Sequence, residues 1–97
     1  MVLTRRAQTD LRQIGRWIAR DSPRRSKTYV EEIQRTCQGL ALFPEKWAVV
    51  SQRPEPVRRA IHGSYAIFYV VRPGRVMVVA VVHGAQLSDP GEIPTSS

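Results

Sequence analysis

Two adjacent arginines, Arg58 and Arg59, precede a run of alternating aromatic and aliphatic residues, and a histidine, His83, follows the last apolar run of the chain. A guanidinium holds a phosphate or a carboxylate through parallel N–H bonds, and a neutral imidazole takes a proton near pH 7. The plainer readings are edge-strand charges that deter sheet-to-sheet pairing and, for His83, a strand-end residue bonded to backbone. His62 lies in a turn and has a weaker case. Tyr65 and Tyr69 share one face of a strand; they are open to stacking on a base, but aromatics packed beneath helices are the stronger reading. The two histidines and Cys37 lack ligand spacing, so no metal site and no cofactor is expected. A single cysteine excludes an internal disulfide and fits a reducing cytoplasm.

The N-terminal third is the charge centre. Residues 1–30 hold eight cations (Arg5, Arg6, Arg12, Arg16, Arg20, Arg24, Arg25 and Lys27) against two anions, Asp10 and Asp21. Arg12, Arg16 and Arg20 stand at i, i+4 and i+8, one stripe of a helix, where like charges repel by a few tenths of a kcal/mol each. A solvated helix face normally interleaves Glu, and this one does not, so an acidic partner that relieves the repulsion is expected. Over the whole chain 15 Lys+Arg stand against 8 Asp+Glu, a net charge of +7. Its partners are therefore expected to be anionic, whether nucleic acid, acidic protein or both; a charge kept for solubility is the alternative. Trp17 and Trp47 are candidate anchors for such a partner, because aromatics dominate interface energetics.

The elements that must position these groups follow from periodicity. A chain of 97 residues is one domain, with little room for a deep cavity beside its core. Residues 1–4 read as a short strand. Thr4 is a candidate N-cap for a helix whose buried stripe is Ala7, Leu11, Ile14 and Ile18; the other face carries Arg6, Asp10, Gln13, Arg16 and Arg20. Ser22 as N-cap and Pro23 as first helical residue open a second helix, with the stripe Ser26, Val30, Ile33, Cys37 and Leu40, ending near Leu42 before Pro44. So short a connection makes the pair an antiparallel hairpin. Residues 44–56, with three prolines, read as a loop. Three strands follow, Val57–Ile61, Ser64–Val71 and Val76–Val82, the last two apolar on both faces and therefore central or covered on both sides. Pro73-Gly74 suits a tight turn between them. Helices followed by strands make the expected fold class α+β, with the hairpin packed on one face of a three-stranded antiparallel meander. Residues 1–87 are expected to form the single domain and the Ser-, Pro- and Gly-rich 88–97 a disordered tail. No signal peptide is read at Met1-Val2-Leu3, and no run approaches the ~20 residues of a membrane span, so no membrane partner is expected.

This order, with its local wording, resembles the RelE/ParE toxin family over residues 3 to about 87. The segments that carry the likeness are Ala7–Ile14 continuing to Trp17-Ile18-Ala19; Asp21-Ser22-Pro23 with Leu40–Pro44; Val57-Arg58-Arg59 followed by Gly63–Tyr69; and Val81-Val82-His83-Gly84-Ala85. The ParE branch fits best. The resemblance implies a cytoplasmic toxin of a type II toxin–antitoxin pair, held by a small acidic, ParD-like antitoxin with a ribbon-helix-helix DNA-binding part. ParE-like members inhibit DNA gyrase by binding and carry no catalytic site; RelE-like members cut messenger RNA on the ribosome. In a ribonuclease of that kind the matching groups would be Arg59, for the charged phosphorane, and His83. But the acid–base residues that RelE-like chains often carry past the last strand are missing, since 84–97 contains no Tyr, His, Lys or Arg. A departure also lies at Gln86, where the family usually has a cation. That keeps open a third reading, a non-toxic member acting with its antitoxin in operon repression. The expected target-binding residues are Arg58, Arg59, His83 and Gln86, and the expected antitoxin-binding residues Arg12, Arg16, Arg20, Trp17 and Trp47.

Overall fold

The computed structural model describes residues 1–52 and 55–83, in the order β1 (Val2–Leu3), α1 (Arg5–Ala19), α2 (Pro23–Gly39), β2 (Val49–Ser51), β3 (Val57–His62), β4 (Tyr65–Arg72) and β5 (Arg75–His83). Gln86 and the expected tail at 88–97 lie outside the described residues. Both helices begin where the sequence places their caps. The Thr4 hydroxyl accepts from the Ala7 N–H, and the Ser22 hydroxyl from the Arg25 N–H, with Pro23 in the first turn. α2 ends earlier than Leu42. Beyond Gly39 the backbone tightens into i→i−3 bonds, with Leu40 donating to Cys37 and Leu42 to Gly39, before Pro44 stops it. The Ser26 hydroxyl donates to the Gly15 carbonyl and ties the hairpin together.

The sheet has five strands in the order β1-β5-β4-β3-β2, with β1 parallel to β5 and the other pairs antiparallel. This corrects the expected meander of three. The loop read over 44–56 contains β2, a three-residue strand that joins the sheet by pairing with β3. Both turns of the meander use glycine at positive φ. Gly63 (φ 57) is the first of two residues linking β3 to β4, and Gly74 (φ 75) follows Pro73 between β4 and β5.

Both helices pack on one face of the sheet. Ala7, Leu11 and Ile14 of α1 and Ile33 and Cys37 of α2 share a core with Ala60, Ile67, Tyr69, Val76, Val78 and Val81. A second buried cluster, Val57, Ala66, Phe68, Val70, Met77, Val79 and Ala80, lies on the other face. The alternation of β4 is the one expected from its sequence. That of β5 is interrupted. Phe68 pairs with Ala80 but Tyr69 with Val78, so Val79 is an extra residue, a β-bulge. Val78 and Val81 therefore both face the helices, and His83, opposite Tyr65, follows them to that side.

Cys37 is fully buried, and burial pushes its thiol up to about 11. The thiolate is the reactive form, so the native chain is expected to resist a disulfide reagent at pH 8, and labelling should track global unfolding in urea. Labelling within minutes without denaturant would contradict this packing.

Candidate functional site

Three faces of α1 have separate tasks. Ala7, Leu11 and Ile14 fill the core. Arg12, Arg16 and Arg20 form the expected outer stripe; all three are exposed and make no ion pair among the described residues. Arg6, Asp10, Gln13 and Trp17 line the third face. Together with Ile14, Tyr65, Val81, Val82 and His83 they enclose a half-open groove of about 610 Å³ between α1 and the end of β5.

The bulge turns Val81 and His83 into this groove, and the short β1 leaves it open. β1 covers β5 only at Met77 and Val78, so the strand edge beyond is left to α1. The Thr4 hydroxyl donates to the Val79 carbonyl at 3.3 Å, and Asp10 Oδ2 accepts the Val81 N–H at 3.0 Å. Polar residues at the start of α1 thus satisfy groups on β5 that β1 is too short to reach. Arg6 Nε lies 3.5 Å from the same carboxylate oxygen. Burial holds the Asp10 carboxyl above its ordinary 3.8, and the Val81 N–H and Arg6 pull it back only in part. The folded chain therefore binds this proton more firmly than the unfolded chain. Asp10's contribution to stability is greatest below pH 3.8 and falls as the pH rises through the folded value. Relative to Asp10→Asn, the wild type is expected to lose stability as the pH climbs through that range, read from urea midpoints. The opposite slope would show that the carboxylate is held ionised.

At the far end of the groove Trp17 is 65 % exposed, with the Arg20 guanidinium over its ring at 5.2 Å. Tyr65 meets His83 edge-on at 5.5 Å and Tyr29 at 5.8 Å; Tyr29 in turn meets His62 at 5.4 Å. His62, read as a turn residue, is the last residue of β3. Its ring bridges the Thr36 hydroxyl (3.2 Å) and Glu32 (3.4 Å), and Arg25 also pairs with Glu32 at 2.6 Å. Arg25 holds the Glu32 carboxyl below its ordinary range.

The expected target surface is not assembled as one patch. Arg58 pairs with Tyr69 and faces the helices, where its guanidinium donates to the carbonyls of Trp47 (2.6 Å) and Glu45 (3.3 Å). Arg59 pairs with Phe68 and points to the opposite face. His83 is opposite Tyr65, four residues along β4 from the Arg58 partner, or about 13 Å of strand. Alternation along β3 and the bulge in β5 separate the three groups. Trp47 is half-buried against the core with Lys46 over its ring, whereas Trp17 stands open beside His83. Trp17 and His83, expected to meet different partners, line one groove. Arg6, Asp10 and Gln13 were visible as a polar helical face, but nothing local to them tells a groove wall from a solvated surface.

A two-helix hairpin on one face of a five-stranded sheet, with its polar groups carried on open surfaces, is compatible with the small basic toxins of the RelE/ParE kind. Over residues 1–88 the chain matches the family model of the ParE toxin of the type II toxin–antitoxin system parDE, and it belongs to that family. It is the toxin of a type II module and pairs with an antitoxin. No curated protein matches the chain. Among the described residues no helix is long and apolar enough to cross a membrane, and no group of His, Cys, Asp and Glu is placed to hold a metal ion.

Proposed function

We propose that this toxin acts in the cytoplasm by binding DNA gyrase, without catalysis of its own, and that a small acidic, ParD-like ribbon-helix-helix antitoxin neutralises it. The observation that carries the choice of binding over RNA cleavage is the separation of Arg59 and His83. A ribonuclease would need its phosphate-stabilising cation and its proton-transfer group within hydrogen-bond reach of one scissile phosphate. These two side chains stand on opposite faces of the sheet. A binding surface has no such requirement, and Arg59, exposed on the sheet face away from the helices, suits an acidic loop or a phosphate. Arg58, held by two carbonyls, serves the loop after α2. The antitoxin is assigned to the outer stripe of Arg12, Arg16 and Arg20 with Trp17 at its margin.

The test is gyrase supercoiling with the purified chain beside ribosome-bound mRNA cleavage. Loss of supercoiling with intact mRNA is the expected result. Cleavage of mRNA that His83→Ala abolishes would replace this reading with the ribonuclease.

A further inference from the structure

We propose that the groove between α1 and the end of β5 is a nucleotide-binding site, with the base against the rings of Trp17, Tyr65 and His83, the sugar hydroxyls or base edge on Asp10 and Gln13, and the phosphate on Arg6. Its volume of about 610 Å³ falls within the range of small-molecule sites. The chemistry of its walls is mixed in a way that few ligands match. Arg6 approaches Asp10 Oδ2 through Nε at 3.5 Å, and the other N–H groups of its guanidinium can hold an anion. Asp10 presents Oδ1, which accepts nothing among the described residues, since Val81 and Arg6 both address Oδ2. A ligand that fills the groove must bring negative charge to one place and N–H or O–H donors to another, with an aromatic body beside three rings.

An acidic peptide supplies the charge but sets its carboxylates against Asp10. A basic peptide suits Asp10 but meets Arg6 and a chain of net charge +7. A nucleotide carries the phosphate, the hydroxyl and amino donors, and a base whose π-face stacks on aromatic side chains whatever its identity. Gln13 is exposed and makes no hydrogen bond among the described residues, so its amide is free to read a base edge or a hydroxyl. Carboxylates that accept from ribose hydroxyls are a recurrent means of holding nucleotides. α1 and β5 also arrange these groups in sequence. Asp10 lies against Val81, one helical turn from Arg6, and the rings gather where β5 reaches His83. This site shares Trp17 with the margin of the antitoxin surface, is otherwise separate from the outer arginine stripe and from Arg59, and does not depend on which cellular target the toxin has.

The experiment is fluorescence titration of the Trp47→Phe chain, which leaves Trp17 as the single tryptophan, with AMP, adenosine, tripolyphosphate and a hexaglutamate peptide in turn. AMP is expected to quench saturably, with adenosine weaker and tripolyphosphate weaker still. Arg6→Ala should weaken AMP about tenfold, the loss of one charge-assisted contact, and leave adenosine unchanged. Trp17→Leu, followed by equilibrium dialysis, should weaken both by about tenfold or more, the loss of a stacking surface. Both positions are exposed enough for the variants to fold, which thermal melts would verify. The proposal is overturned if AMP fails to saturate by ~5 mM, a binding free energy near 3 kcal/mol. It is also overturned if tripolyphosphate or hexaglutamate binds as well as AMP, or if Arg6→Ala leaves AMP binding unchanged.

Discussion

Phe68→Ala is expected to lower the unfolding free energy by about 3–5 kcal/mol, the range for truncating a buried aromatic where the surrounding structure only partly collapses. Phe68 is fully buried at the centre of the cluster on the face away from the helices. It is paired with Arg59 on one side and Ala80 on the other, beside the bulge. Ala80 is small and Arg59 is exposed, so neither neighbour can fill the space. A domain of 97 residues has about 5–15 kcal/mol in all, so this one change removes a large share. Urea unfolding should show a midpoint lower by ~1 M or more, given slopes of about 1–3 kcal/mol per molar for small domains. Val71→Ala, on the same strand but 41 % exposed, should cost less than ~1 kcal/mol. Equal effects at the two positions would mean that the second face of the sheet is not packed as described.

What could be read in advance followed from local rules. Thr4 and Ser22 fix the helix starts because a hydroxyl before an amphipathic run answers otherwise unpaired N–H groups. The two-sided apolar pattern of β4 declares a central strand, and the two clusters divide its residues as the alternation requires. β2 was hidden because Val49–Ser51 is too short for a period and lies between prolines; only its partner β3 makes it a strand. The bulge at Val79 was hidden for a deeper reason. Val78, Val79 and Ala80 are all apolar, so the sequence carries no polar mark of where the alternation slips. That slip decides the functional geometry. It turns His83 to the helix side, away from Arg59, while the short β1 leaves the Val79 carbonyl and Val81 N–H to Thr4 and Asp10. Residues that look alike in a list of candidate cations and bases are thereby sorted onto two faces.

The second large effect is expected at Trp17. Trp17→Ala should weaken antitoxin binding by about 2–4 kcal/mol, or ~30- to 1000-fold, the range for an interface anchor. A tryptophan that is 65 % exposed contributes little to the fold, so the same change should leave the melting curve of the free toxin almost unmoved. The exposed ring is not isolated. Arg20 lies over it at 5.2 Å, so one partner surface that covers the indole must also desolvate that guanidinium. An acidic residue opposite Arg20 then gains strength from the same exclusion of water that makes the ring an anchor. The two side chains should therefore couple, with the double variant Trp17→Ala/Arg20→Ala losing less than the sum of the single losses. Arg12 and Arg16, further along the exposed stripe, should act differently. Their removal should lower the association rate and flatten its salt dependence, as steering charges do, with a smaller effect on dissociation. Surface plasmon resonance of the four single variants and the double variant against the cognate antitoxin, at low and high salt, separates the two roles. If Trp17→Ala dissociates no faster than wild type while the arginine variants do, the antitoxin is held by charge alone, and the indole faces some other ligand.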